Sequence, residues 1–112
     1  MFQTDSGSQQ GQALAMQAPV LARLAELAVS YPSLPGAYFC ISRHCPRELS
    51  VQLDGPVAVE AWREALDVPV EEVVMRRLGD RPSLEFRAAA YGLWFHVYAV
   101  YDQVGVARQG VA

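Results

Sequence analysis

The sequence predicts an α+β domain in the order helix, β-hairpin, helix, three-stranded antiparallel meander, with the helices packed on one face of an antiparallel sheet. Three observations predict it. Apolar residues recur at helical spacing in two separate stretches, around residues 17–30 and 57–66. Residues 37–53 and 73–101 switch instead to apolar and polar alternation broken by turn-forming residues. A chain of 112 residues, 52% hydrophobic and 19% charged, is one globular domain's worth of sequence.

The first ordered element is expected at residues 17–30. Thr4, Ser6, Gly7, Ser8, Gln9, Gln10 and Gly11 make the start of the chain too polar to offset its ordering entropy, so residues 1–12 are expected to be a flexible tail. Residues 13–103 form the single domain, and residues 104–112, with Gly105 and Gly110, a short second tail. Leu21, Leu24, Ala25, Ala28 and Tyr31 share one helical side, and Pro19 suits a first turn. Arg23 and Glu26 are the only charges on this helix, which predicts burial over much of its circumference. Pro32, Pro35 and Gly36 stop it.

Strands at residues 37–43 and 48–53 follow, joined around His44, Cys45, Pro46 and Arg47. The register that keeps apolar residues together places Phe39 and Ile41 on one face with Leu49, Val51 and Leu53. Tyr38, Cys40 and Ser42 then share the opposite face with Ser50 and Gln52. Asp54-Gly55-Pro56 is a helix-start signal, and residues 57–66 stack Val59, Trp62 and Leu66 on one side. Trp62 is accordingly a core anchor rather than a binding residue.

The final third alternates most clearly. Across Gly79, Asp80, Arg81 and Pro82, the expected pairing sets Met75 opposite Phe86, Val73 opposite Ala88 and Arg76 opposite Glu85. Across Tyr91 and Gly92, Phe86 faces Val97, Ala88 faces Phe95 and Leu84 faces Ala99. Tyr91 is a poor fit to a primed two-residue turn, which leaves room for a slightly longer loop. One face of these strands is core. The other carries Arg76, Arg87, Trp94, His96 and Tyr98.

Leu24-Ala25, Pro32, Leu34-Pro35, Val51-Gln52-Leu53 and residues 60–66, Glu-Ala-Trp-Arg-Glu-Ala-Leu, carry a resemblance. The chain resembles uncharacterised small proteins of Streptomyces and related actinobacteria. The likeness covers most of the ordered chain and is looser in the last strands. It implies an accessory role beside helix-turn-helix regulators or mobile elements, and brings no assigned activity and no functional residue.

A net charge of -3 and a pI near 5.2 disfavour a dedicated nucleic-acid binder. Two cysteines and two histidines are too few for a disulfide framework or a multi-metal site, and a reduced, cytoplasmic setting is expected. No signal-like or membrane-spanning run is present in the sequence.

Catalysis would require a nucleophile and a base that converge. Cys45 beside His44, with His96 arriving from the last strand, is the best candidate. Adjacent residues on extended chain point to opposite sides, however, and no phosphate loop, HExxH or GxSxG motif occurs. Cys40, His44, Cys45 and His96 lack zinc-ligand spacing, and a Cys40–Cys45 bridge does not fit the hairpin. No catalytic residue, cofactor, metal or small-molecule substrate is therefore expected.

The face bearing Arg76, Arg87, Trp94, His96 and Tyr98 combines the residue types enriched at interface hot spots. The expected partner is an unidentified protein or a second copy of the chain. A single-stranded nucleic acid stacking on the aromatics is the alternative, and a small Cys/His metal-binding protein a more distant one. The bland alternative is a face covered by the first helix, or an ordinary half-wet sheet.

Overall fold

The computed structural model describes residues 13–101, so the expectations for both tails lie outside the described residues. The fold is α+β, with two helices and a five-stranded mixed sheet. Helix α1 (Ala18–Ser30) follows a 3₁₀ turn at Leu14–Gln17, and helix α2 spans Pro56–Ala65. The strands are β1 (Tyr38–Ile41), β2 (Glu48–Leu53), β3 (Val74–Leu78), β4 (Arg81–Ala90) and β5 (Leu93–Val100). Their spatial order is β1-β2-β5-β4-β3.

The sheet is not antiparallel throughout, contrary to the sequence reading. Strand β2 runs parallel to β5, with Glu48 beside Trp94 and Leu53 beside Ala99. The seam begins where the Trp94 N–H donates to the Arg47 carbonyl at 2.9 Å. Arg47 Nη1 returns a bond to the Gly92 carbonyl at 3.3 Å, so the tip of the hairpin is latched to the β4–β5 turn.

Within the hairpin, Phe39 pairs with Val51 and Ile41 with Leu49, the register that the apolar pattern selects. Between β4 and β5, Phe86 pairs with Val97 and Ala88 with Phe95. The turn between them is tight: Tyr91 at φ 58° and Gly92 at φ 73° supply the two left-handed residues that a type I′ turn requires.

The β3–β4 register differs from expectation by two residues. Met75 pairs with Leu84, Val74 with Glu85 and Arg76 with Ser83. Only Gly79 and Asp80 form the turn, with Gly79 at φ 65°, and Pro82 lies inside β4 opposite Arg77. A shift of two keeps every side chain on its face, and Arg76 still meets Glu85, now as a diagonal pair.

Both helices lie on the face that presents Leu49, Val51, Leu53, Phe86, Leu93, Phe95, Val97 and Ala99, and Val20, Leu27, Val59, Trp62 and Leu66 complete that core. Trp62 Nε1 donates to the Pro35 carbonyl at 2.8 Å, and its ring meets Phe39 at 6.0 Å between centroids. The sequence overstates the burial of α1 and misplaces its inward side: Val20 and Leu27 are buried and Leu24 half-buried, whereas Leu21, Ala25, Ala28 and Tyr31, expected on the packed side, are exposed, and Val29 is 81% exposed. Alanine and valine on its outer side replaced charges without signalling contact. The helical layer also stops short of β3, where Met75, on the core side of the sheet, is 70% exposed. Among the described residues, no helix is long and apolar enough to cross a membrane.

Candidate interaction surface

Alternation along β5 sends Leu93, Phe95, Val97 and Ala99 into the core and Trp94, His96 and Tyr98 to the other side. Because β5 is the middle strand, these three rings run down the centre of the sheet's second face. Both helices are on the far side, and Trp94 is 58% exposed.

The register assigns each ring its neighbours. Trp94 lies between Ala89 and Glu48, His96 between Arg87 and Ser50, and Tyr98 between Glu85 and Gln52. His96 and Tyr98 stack with centroids 5.0 Å apart and planes 27° from parallel. The Tyr98 hydroxyl donates to Gln52 Oε1 at 3.4 Å.

Glu85 is the polar hub. His96 Nε2 lies 3.0 Å from Oε1 of Glu85, and Arg76 Nε donates to Oε2. The His96 hydrogen bond, and after it that of Arg76, holds the Glu85 carboxyl below the usual carboxylate range. Arg87 approaches Glu48 at 3.7 Å across β5. All five residues expected on this face are therefore on it, and each arginine has a carboxylate beside it. Glu48 was not legible as a member, because its place depends on the β2–β5 seam.

Of the titratable groups considered for catalysis, Cys40 and His96 stay apart. Cys40 pairs with Ser50, which pairs with His96, so the thiol and the imidazole lie two strand spacings apart, about 9–10 Å. Cys40 and Cys45 are exposed free thiols, and the His44 N–H bonds to Ser42 Oγ. Among the described residues, no three His, Cys, Asp or Glu side chains group as metal ligands would. A crevice of about 190 Å³ lies on the helix side, walled by Leu24, Leu27, Leu34, Phe39 and Trp62 among others.

Comparison with protein-family models, with curated proteins and with solved structures finds no match to the chain. The surface is thus read from its own chemistry: aromatic along its midline, with charges of both signs in pairs. Such a face can bury rings against a partner while its ion pairs exchange across the contact.

Proposed function

We propose that the protein is a small non-enzymatic interaction module, accessory or regulatory in role and cytoplasmic, that binds another protein through the open face of its sheet. The single observation that carries the reading is the row of Trp94, His96 and Tyr98 on the central strand, over which no helix lies among the described residues, with Trp94 exposed and His96 and Tyr98 half-buried. Five strands span roughly 20 Å across, a footprint on the scale of one side of a standard interface. Tryptophan, tyrosine and arginine combine large contact area with polar handles. The concrete version is self-association through the C-terminal strands.

The pairing of Arg76 with Glu85 and of Arg87 with Glu48 supports a protein partner over a single-stranded nucleic acid. Arginines already neutralised by carboxylates offer phosphate little net attraction.

The test is solution mass for the wild-type chain and for the Trp94→Ala/Tyr98→Ala variant. A wild-type dimer reduced to monomer by the two substitutions supports the reading. An unchanged monomer in both removes its self-associating version. Salt-sensitive capture of a single-stranded oligonucleotide by the wild type would overturn the choice of a protein partner.

A further inference from the structure

Strand β1 is a free edge of the sheet, and the seam between β2 and β5 fixes which of its backbone groups are unpaired. The Trp94 N–H donates to the Arg47 carbonyl, so in this parallel pairing the N–H and C=O of Leu49 and Val51 turn toward β5 and those of Ser50 and Gln52 toward β1. Ser50 and Gln52 pair with Cys40 and Tyr38, which leaves the N–H and C=O of Phe39 and Ile41 pointing away from the sheet. Gln17 Nε2 donates to the Ile41 carbonyl at 3.2 Å, as that direction requires, and occupies the Ile41 end of the edge. Phe39 keeps both of its groups, and Ile41 its N–H, without a hydrogen-bond partner among the described residues. Such an edge is a template for another strand.

A crevice of about 190 Å³ opens beside these groups, walled by Leu24 and Ala28 of α1, Pro35 and Gly36 before β1, Phe39 of β1 and Trp62 of α2, among others. Clefts for drug-sized ligands start near about 300 Å³, whereas a cavity of about 150 Å³ holds one benzene. The crevice therefore has room for a single large apolar side chain. Every wall residue is uncharged, and the Trp62 indole N–H is already given to the Pro35 carbonyl. Phe39 is 43% exposed, and Ala28 and Gly36 are exposed, so the mouth faces solvent. Phe39 pairs with buried Val51 and shares its side of the sheet. A residue added directly opposite Phe39 in an antiparallel strand would send its own side chain to that side, at the crevice.

The two ends of the edge differ in charge. Arg43 is exposed two residues beyond β1, and Asp54 is exposed one residue beyond β2 at the other end, where Gln52 pairs with Tyr38. Neither is in an ion pair among the described residues. An antiparallel strand would meet Arg43 with its N-terminal half and Asp54 with its C-terminal half.

We propose that β1 takes up an extended segment of a partner protein as a sixth, antiparallel strand, with one leucine- or phenylalanine-sized side chain in the crevice, an acidic residue before it and a basic one after it. Main-chain bonds to Phe39 and Ile41 supply affinity, and the crevice supplies selectivity. This goes beyond the open-face reading, because it uses the β1 edge and the helix side of the sheet and leaves Trp94, His96 and Tyr98 free.

The experiment is a nuclear magnetic resonance titration of the ¹⁵N-labelled full chain with the peptide acetyl-Glu-Thr-Thr-Thr-Leu-Thr-Lys-amide. Saturable binding with a Kd below about 1 mM is expected, with the largest amide shifts at Phe39 and Ile41. Methylating the backbone nitrogen of the peptide's leucine removes its bond to the Phe39 carbonyl but keeps the side chain, and should weaken binding about tenfold. Ala28→Glu, a charge at an exposed position on the crevice wall, should weaken it at least as much. Exchanging the peptide's Glu and Lys should cost about threefold at low salt and nothing at high salt. Trp94→Ala/Tyr98→Ala should leave binding unchanged, which separates this site from the open face. Equal binding by the methylated peptide overturns the strand pairing. Shifts centred on Trp94, His96 and Tyr98 overturn it in favour of the open face. A peptide that moves no amide resonance at about 1 mM overturns it and leaves the open-face reading standing.

Discussion

Trp62 gives the fold its sharpest mechanical test. Its side chain, on α2, is 2% exposed, tilts against Phe39 of β1 and donates to the Pro35 carbonyl in the segment between α1 and β1. One indole therefore ties together a helix, an edge strand and the loop that ends the other helix. Trp62→Ala removes the ring from a packed core and should cost about 3–5 kcal/mol. Trp62→Phe keeps most of the apolar contact but removes the donor at 2.8 Å from the Pro35 oxygen. That carbonyl is only part-buried, so water can partly replace the indole, and the expected cost is about 1–2 kcal/mol. Urea unfolding followed by far-ultraviolet circular dichroism reads both, provided the denaturant slopes agree. For a domain of this size, roughly 5–13 kcal/mol of total stability makes either loss measurable. Equal losses for Phe and Ala would show that the hydrogen bond, not the packed ring, does the stabilising. Losses under about 1 kcal/mol in both would remove Trp62 from the core.

Three further outcomes follow from the same geometry. Glu85→Gln is expected to flatten the acid limb of stability: a carboxyl depressed below 4.5 in the folded state gives stability that is complete above that value and lost as pH falls through the folded pKa. Unfolding at stepwise lower pH checks this, and an unchanged acid limb refutes it. Gly79→Ala should cost about 1 kcal/mol from backbone conformation alone, since φ is 65° and nothing lies within 4 Å of the added carbon. Tyr91 also sits at positive φ, but the Arg23 guanidinium lies 3.9 Å above its ring. Tyr91→Asn should therefore change stability little in the wild type and raise it by about 1 kcal/mol in an Arg23→Ala background, where the cation contact is already gone.

What the sequence made legible was whatever a change of parity would have destroyed. Slipping β1 against β2 by one residue would have thrown Phe39 and Ile41 to the side of Ser50 and Gln52, so that register could be read. The β3–β4 register could not, because a shift of two moves Met75 from Phe86 to Leu84 without moving it off the apolar face. Pro82 added to the error by resembling a loop residue, whereas its place in β4 opposite Arg77 lets a two-residue turn close at Gly79 and Asp80. The exposure of α1 was hidden for a different reason. Apolar side chains such as Val29 and Leu21 are compatible with solvent, so a low charge count does not measure contact.

The parallel seam between β2 and β5 was beyond the pattern altogether, since either direction would have buried Leu49, Val51 and Leu53 equally well. Yet it is this seam that makes the surface. Without β2 on its flank, β5 would be an edge strand, and Trp94, His96 and Tyr98 would line a rim instead of a midline. Docking in parallel also brings Glu48 beside Trp94, within reach of Arg87 on the opposite neighbour. Alternation alone already sets Glu85 beside Arg76, and the seam adds Glu48 beside Arg87. That second ion pair resides in the pairing of two strands far apart in the chain, joined by a crossover through α2, β3 and β4.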